Sequence, residues 1–296
     1  MKKLFFLMNP RAGKQKANKL LPDILALYNR HGYEVTVHMT AGPGDGMAIC
    51  QQKAPETDLI VAAGGDGTLN EAMTGILRSG ASVPLGYIPC GSTNDFANSL
   101  GLPTDILAAA KLTVEGAPVA YDVGKFQDRV FSYVASFGAF TKASYATSQS
   151  VKNMLGHLAY VLAGAKEIFH IPKEHVSFHT DAGDFEGDYI FGAVSNSTSV
   201  GGILTLSREI VDMRDGVFEL MLVRPPKNAG ELTKLVADLK ACRYDSPMLT
   251  FRAVRSLQIT ARADMPWSLD GEKHDGCPEI HIENLHEAIR LVSPHE

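Results

Sequence analysis

The run Gly64-Gly65-Asp66-Gly67-Thr68-Leu69-Asn70-Glu71 constrains this chain more than any other segment. It follows the apolar stretch Asp58–Ala63 and opens a segment with helical spacing, which makes it the turn of a βα unit. Three glycines let backbone N–H groups approach a ligand closely, and a helix amino terminus adds a partial positive charge, so the turn suits phosphate. Neither the GxGxxG order of a dinucleotide fingerprint nor the GxxxxGK[ST] order of a P-loop is present. Asp66 is the unusual member: a carboxylate repels phosphate unless a cation intervenes, which points to a magnesium-associated nucleoside triphosphate or to a network of metal-bound water.

The flanking sequence repeats the same unit. Strands are predicted at Leu4–Met8, Glu34–Met39, Leu59–Ala62 and Leu85–Ile88, and helices at Lys14–His31, Gly46–Lys53, Leu69–Leu77 and Asp95–Leu100. Such alternation feeds a mostly parallel sheet, whose ligands sit beyond the carboxyl ends of the strands. Asn9–Gly13, Thr40, Gly64–Thr68 and Gly91–Asp95 should therefore converge. After about Asp122 the texture becomes β-rich, with Val130–Ala135, Val176–His179, Tyr189–Val194, Val217–Val223 and Ser256–Thr260 punctuated by Gly-Asp and Asp-Gly turns. One helix, from Val151 to Phe169, interrupts it, and Ala288–Val292 returns as a strand or helix end. A chain of 296 residues exceeds most single cores. Two domains are expected: 1–124 with a return near 285–296, and 125–284.

Three further groups carry chemistry. Asn9-Pro10-Arg11-Ala12-Gly13-Lys14 can cover a phosphate at the next helix start. Gly91 and the Ser92 hydroxyl offer donors after the fourth strand, Thr93 or Asn94 can cap the Asp95 helix, and Asp95 and Asp122 add carboxylates. In Leu269-Asp270-Gly271-Glu272, the two acids share a face if the segment is extended; Asp-Gly as a hairpin turn is the competing reading. One of the pair can then take a hydroxyl proton while the other orients it.

The ordered set NPRAG, GGDGTLNE, IPCGSTNDFA, YDVGK (121–125), NSTSVGG (196–202), DGVFELMLV (215–223) and LDGE (269–272) resembles the diacylglycerol-kinase catalytic-domain family, which includes soluble bacterial lipid kinases and the sphingosine and ceramide kinases. The resemblance implies a Rossmann-like, phosphofructokinase-like three-layer α/β nucleotide domain and a C-terminal antiparallel β-sandwich domain for the lipid. It implies ATP contacts at Asn9, Pro10, Arg11, Ala12, Gly13, Thr40, Gly65–Glu71 and Ser92, and Glu272 as catalytic base with Asp270 as companion acid. Asp66, Asp95 and Asp122 fall on positions linked through water and Mg²⁺. A structural magnesium site would use the Asp215 side chain and the carbonyls of Asp212 and Val217, although Ser207-Arg208-Glu209 and Arg214 depart from the family's pattern there.

The implied activity is transfer of the γ-phosphoryl of ATP to the hydroxyl of a diacylglycerol-like lipid. A kinase of a soluble acceptor, NAD kinase-like, and a silent nucleotide- or lipid-binding protein are the alternatives. A net charge of −5 excludes a whole-protein field for nucleic acid. Cys50, Cys90, Cys242 and Cys277 show no CxxC pairing and read as free thiols of a cytoplasmic protein. No run reaches the ~18–20 apolar residues of a spanning helix, so the lipid is expected at a membrane surface, with Lys142, Lys152, Lys166 and Lys173 as weak candidates for headgroup contact. The reading leaves a homodimer open.

Overall fold

The computed structural model describes residues 1–13, 15–92, 94–138, 172–200, 204–206 and 210–294. Lys14, Thr93, the Val151–Phe169 helix, Lys142, Lys152, Lys166, Gly201, Gly202 and Ser207–Glu209 lie outside the described residues. The chain divides into two compact units, Met1–Asp122 with Glu287–Glu296, and Val123–His286.

The first unit is built on parallel strands β1 (Lys2–Met8), β2 (Tyr33–Met39), β3 (Leu59–Gly64) and β4 (Leu85–Pro89) in the order β2-β1-β3-β4. A long last strand, β18 (Glu279–Ser293), joins beyond β4, with Leu291 opposite Leu85. Strands β1, β3 and β4 are buried along most of their lengths, as expected for a parallel sheet covered on both faces. Helices α1 (Lys16–Arg30), α2 (Asp45–Lys53), α3 (Asp66–Ser79), α4 (Asp95–Ser99) and α5 (Ile106–Glu115) connect them. The core on one side joins Phe6, Met8 and Val61 to Ile24 and Tyr28 of α1 and Ala109 and Ala110 of α5. Helix α5 is absent from the sequence expectation. Its signal is Asp105, whose carboxylate accepts the Ala108 N–H at 2.9 Å as a capping residue.

The strands described in the second unit pair antiparallel. Strand order β14-β13-β10-β7-β16-β17 makes one sheet from β7 (Val134–Gly138), β10 (Phe191–Ser195), β13 (Phe218–Val223), β14 (Leu249–Val254), β16 (Trp267–Leu269) and β17 (Glu272–His274). Strands β8 (Glu174–Thr180), β9 (Gly183–Tyr189) and β15 (Ser256–Thr260) pair in series with the first half of β18, and β5 (Ala117–Phe126) pairs with β18 and with β6 (Arg129–Phe131). One core draws Phe137, Val194, Leu220 and Trp267 from the first group and Phe178, Leu257, Ile259 and Ile282 from the second. A short ladder, β11 (Ser199–Val200) with β12 (Leu204–Thr205), lies apart.

Three expectations in this half are corrected. Val130–Ala135 is not one strand: it breaks at Ser132-Tyr133, whose N–H groups turn to the Asp270 carboxylate. Tyr189–Val194 is likewise two strands, because the chain changes sheet at Ile190. Helix α6 (Ala229–Lys240) was not expected, although Leu232, Leu235, Val236 and Leu239 repeat at helical spacing behind the Asn228 cap. Among the described residues no helix is long and apolar enough to cross a membrane. None of the four cysteines forms a disulfide.

Candidate active site

At the carboxyl edge of the parallel sheet, three backbone bonds tie four loops in strand order. Thr40 N–H donates to Met8 O at 2.9 Å, Asn9 N–H to Ala63 O at 2.9 Å, and Cys90 N–H to Gly64 O at 2.7 Å. Side chains reinforce them. Asn9 Nδ2 donates to Thr68 Oγ1 at 3.3 Å while its Oδ1 accepts the Arg11 N–H at 2.9 Å. Asn94, in the left-handed region at φ 54°, grips Gly91 from both sides, accepting its N–H at 2.8 Å and donating to its O at 3.1 Å. The expected cap of α4 by Asn94 is therefore corrected, since this side chain is spent on the loop and makes no cap bond.

The loops touch backbone to backbone. A Cβ on Gly91 would lie 2.6 Å from the Gly65 Cα, and one on Gly13 would collide with the Cys90 carbonyl. Such approach leaves a surface of amides rather than side chains, the property a phosphate site needs. Tyr87, buried beneath, donates its hydroxyl to Gly64 O at 3.3 Å. Burial, with the Asp66 charge, holds its pKa well above the ordinary value.

Four helices, α1 to α4, start at this edge, and the starts of α2 and α4 are neutralised from within. The Glu71 carboxylate accepts the Gly44 N–H at 2.7 Å and the Gly46 N–H at 2.9 Å at the start of α2. Asp66 accepts the Asp95 N–H at 3.2 Å and the Phe96 N–H at 3.4 Å at the start of α4. Among the described residues α3, which begins at Gly65 in extended backbone, has no side-chain cap, and α1, behind Gln15, has none either. The amino terminus of α3 keeps the partial charge that those of α2 and α4 have lost. At the start of α2, Asp45 takes the Ala41 N–H at 2.7 Å and a bond from His38 at 3.0 Å, and these hold its carboxyl below the usual range.

The remaining expected residues of this unit divide by environment. Thr40, Gly65, Asp66, Gly67, Asn70, Gly91 and Asp95 are half-buried, and Arg11, Gly13 and Ser92 are exposed. Leu69 is fully buried and its N–H is taken by Gly65 O at 3.1 Å, so neither group can face a ligand. Asp122 is buried where β5 leaves the unit, and its Oδ1 accepts the N–H of Glu287, where β18 re-enters, at 2.7 Å.

In the second unit, Asp270 and Gly271 form the two-residue turn of the β16–β17 hairpin, with φ 50° and 84°. The expectation that Asp270 and Glu272 share a face of an extended strand is corrected by this turn. Asp270 instead accepts three backbone N–H groups, from Ser132 at 2.5 Å, Tyr133 at 2.9 Å and Val134 at 3.1 Å. Glu272, first residue of β17, is exposed and takes part in no ion pair among the described residues.

The Asp212–Val217 turn is closed on itself. Asp212 accepts the Arg214 N–H at 3.0 Å, Asp215 accepts the Val217 N–H at 3.1 Å, and Val217 O accepts Asn284 Nδ2 at 3.2 Å. Two residues on, Glu219 is buried, with no hydrogen-bond partner for Oε2 among the described residues; burial first, then the charges of Asp215 and Asp212, push its pKa up to about 8. Sequence reasoning passed over Glu219, whose signal is a lone acid within the apolar run Phe218–Val223. Among the described residues no group of three or more His, Cys, Asp and Glu side chains is placed to hold a metal. A magnesium ion that takes phosphate oxygens, carbonyls and water needs no such group.

The diacylglycerol kinase catalytic domain model matches residues 3–126. Over 298 residues the chain is 32% identical to a diacylglycerol kinase of Bacillus subtilis (strain 168), covering 100% of this chain and 98% of that one. It is 30% identical to a diacylglycerol kinase of Staphylococcus carnosus, with 99% and 95% covered. A crystal structure of a diacylglycerol kinase from Bacillus anthracis superimposes over 99% of this chain and 97% of its own with a TM-score of 0.74 at 21% identity, a likeness of fold. Identity of this extent along the whole chain shows that the protein belongs to the diacylglycerol kinase catalytic-domain family.

Proposed function

We propose that this protein is an ATP-dependent lipid kinase that phosphorylates the free hydroxyl of a diacylglycerol-like acceptor. The observation that carries the reading is the uncapped amino terminus of α3, set among glycine loops that expose amides, while the two neighbouring helix starts are closed by Glu71 and Asp66. The triphosphate is assigned to Gly64, Gly65, Gly67 and Thr68, with Gly91, Ser92 and Asn9–Gly13 around it and Thr40 and Asn70 at its margin. The first unit is thus the nucleotide domain, of the Rossmann-like type, and the second, read as a β-sandwich, is the lipid and catalytic domain.

Magnesium, when bound with the nucleotide, neutralises phosphate charge; Asp66, Asp95 and Asp122 would hold it through water. A second ion is assigned to the Asp215 carboxylate and the carbonyls of Asp212 and Val217, in a turn whose acids act on the buried Glu219. Glu272 is the base. Its carboxylate takes the acceptor's O–H proton, the freed oxygen bonds to the γ-phosphorus, and the bond from that phosphorus to the β–γ bridging oxygen breaks to leave ADP. An exposed carboxylate, in no ion pair among the described residues, is suited to that exchange.

The test is incubation with labelled ATP and mixed detergent–lipid micelles, with mass identification of the product. A phosphorylated lipid of the diacylglycerol class is expected. Label reaching only NAD or sugar phosphates, or ATP bound tightly with no phosphoryl transfer to any alcohol, would overturn the reading.

A further inference from the structure

Glu71 lies in the second turn of α3, yet its carboxylate serves another element. Its two oxygens take the N-cap and N2 amides of α2, at Gly44 and Gly46, and so satisfy two of the donors that every helix start leaves open. The Thr40–Gly46 loop is consequently held at both ends: by the Thr40 bond to β1, and by Glu71. Packing is tight at the helix end of the loop. A Cβ on Gly46 would sit 2.6 Å from Glu71 Oε2, and one on Gly75 would sit 2.5 Å from the Met47 carbonyl, so α2 lies directly against α3. The bonds are charge-assisted, which makes them stronger than amide-to-amide links. They also cancel the positive end of α2, which would otherwise rival α3 for an anion.

We propose that Glu71 is a positioning residue: it locks the Thr40–Gly46 loop onto the phosphate-binding helix and sets nucleotide affinity through that loop, while touching no part of the nucleotide. This rests on the nucleotide reading above. Glutamine at this position keeps one acceptor and turns an NH₂ toward an N–H donor, so half of the clamp is lost. Alanine loses all of it.

The experiment compares wild type with Glu71→Gln, Glu71→Ala and Gly46→Ala; the last leaves Glu71 in place and pushes its carboxylate away. Loss of charged hydrogen bonds worth ~1.5–3 kcal/mol predicts a rise of about tenfold or more in KM for ATP and in Kd for ADP. kcat at saturating ATP and KM for lipid should change less than about threefold, a split that a smaller folded fraction would not produce. Deoxy-ATP lacking the 2′- or 3′-hydroxyl should suffer the same factor as ATP, and Gly44 and Gly46 amides should exchange faster in both Glu71 variants. Wild-type affinity in the variants, a loss confined to kcat, or an effect that vanishes with a deoxynucleotide and so places Glu71 on the ribose would each overturn the proposal. Wild type that fails to bind ATP or ADP overturns the nucleotide reading with it, whereas unaltered variants of a binding wild type overturn this inference alone.

Discussion

Two carboxylates separated by one glycine have opposite duties at the residue scale. Asp270 spends both oxygens on three backbone amides, and its left-handed backbone is one that Asp and Asn tolerate better than other side chains. Asp270→Asn keeps the turn but trades a charged acceptor for a neutral one that also presents a donor to the Ser132–Val134 amides. It should lower stability by about 2 kcal/mol and the melting temperature by several degrees. An unchanged melting temperature would show that water replaces those bonds. Glu272 holds nothing together, so Glu272→Gln should keep the fold and ATP affinity and lose about 10²–10⁴ in turnover. Turnover near wild type would take Glu272 out of the mechanism. The sequence names both acids, but the pattern cannot distinguish them: alternation along a strand and a two-residue hairpin are written with the same Asp-Gly, and what decides is the distant Ser132–Val134 segment.

At the scale of elements, α3 organises its neighbours. Its first residue caps α4 and its sixth caps α2, so the GGDGTLNE run encodes the ends of three helices as well as one loop. The phosphate loop and its strand are legible in sequence because their signals are local: an apolar run, then glycines, then helical spacing. The two caps are not legible, because a carboxylate's choice of amide is made by loops arriving from β2 and β4. Helices α5 and α6 lie between these cases. Each carries a capping residue, Asp105 or Asn228, and each was obscured by a short apolar pattern that fits either a strand or a helix. The cap changes what Asp66→Ala should do. Turnover should be abolished, and losing the N-terminal acceptor of α4 should also cost about 1 kcal/mol of stability. Thermal melting checks this, and equal melting of variant and wild type would mean that Asp66 acts only on the ligand.

For the whole molecule, the assigned ligands fall in different units. The glycine loops at Asn9–Gly13 and Gly64–Thr68 belong to the first, and the Asp212–Val217 turn with Glu219 belongs to the second. The division itself follows from two long strands, β5 and β18, each running from one unit into the other; only the Ala288–Val292 part of the return has a clear apolar signal in sequence. A ligand that binds only the native state protects the structure it touches by RT ln(1 + [L]/Kd), about 2.7 kcal/mol at one hundred times Kd. Hydrogen exchange should therefore separate the two sites. ADP with magnesium should slow exchange of amides at 9–13 and 64–68, while magnesium alone should slow those at 212–219, where an added positive charge also relieves the repulsion among Asp212, Asp215 and Glu219. Asp215→Asn should erase the second effect and leave the first. If magnesium alone leaves 212–219 unaltered in wild type, the turn holds no cation and is kept by protein contacts, its bonds to Arg214, Val217 and Asn284 among them.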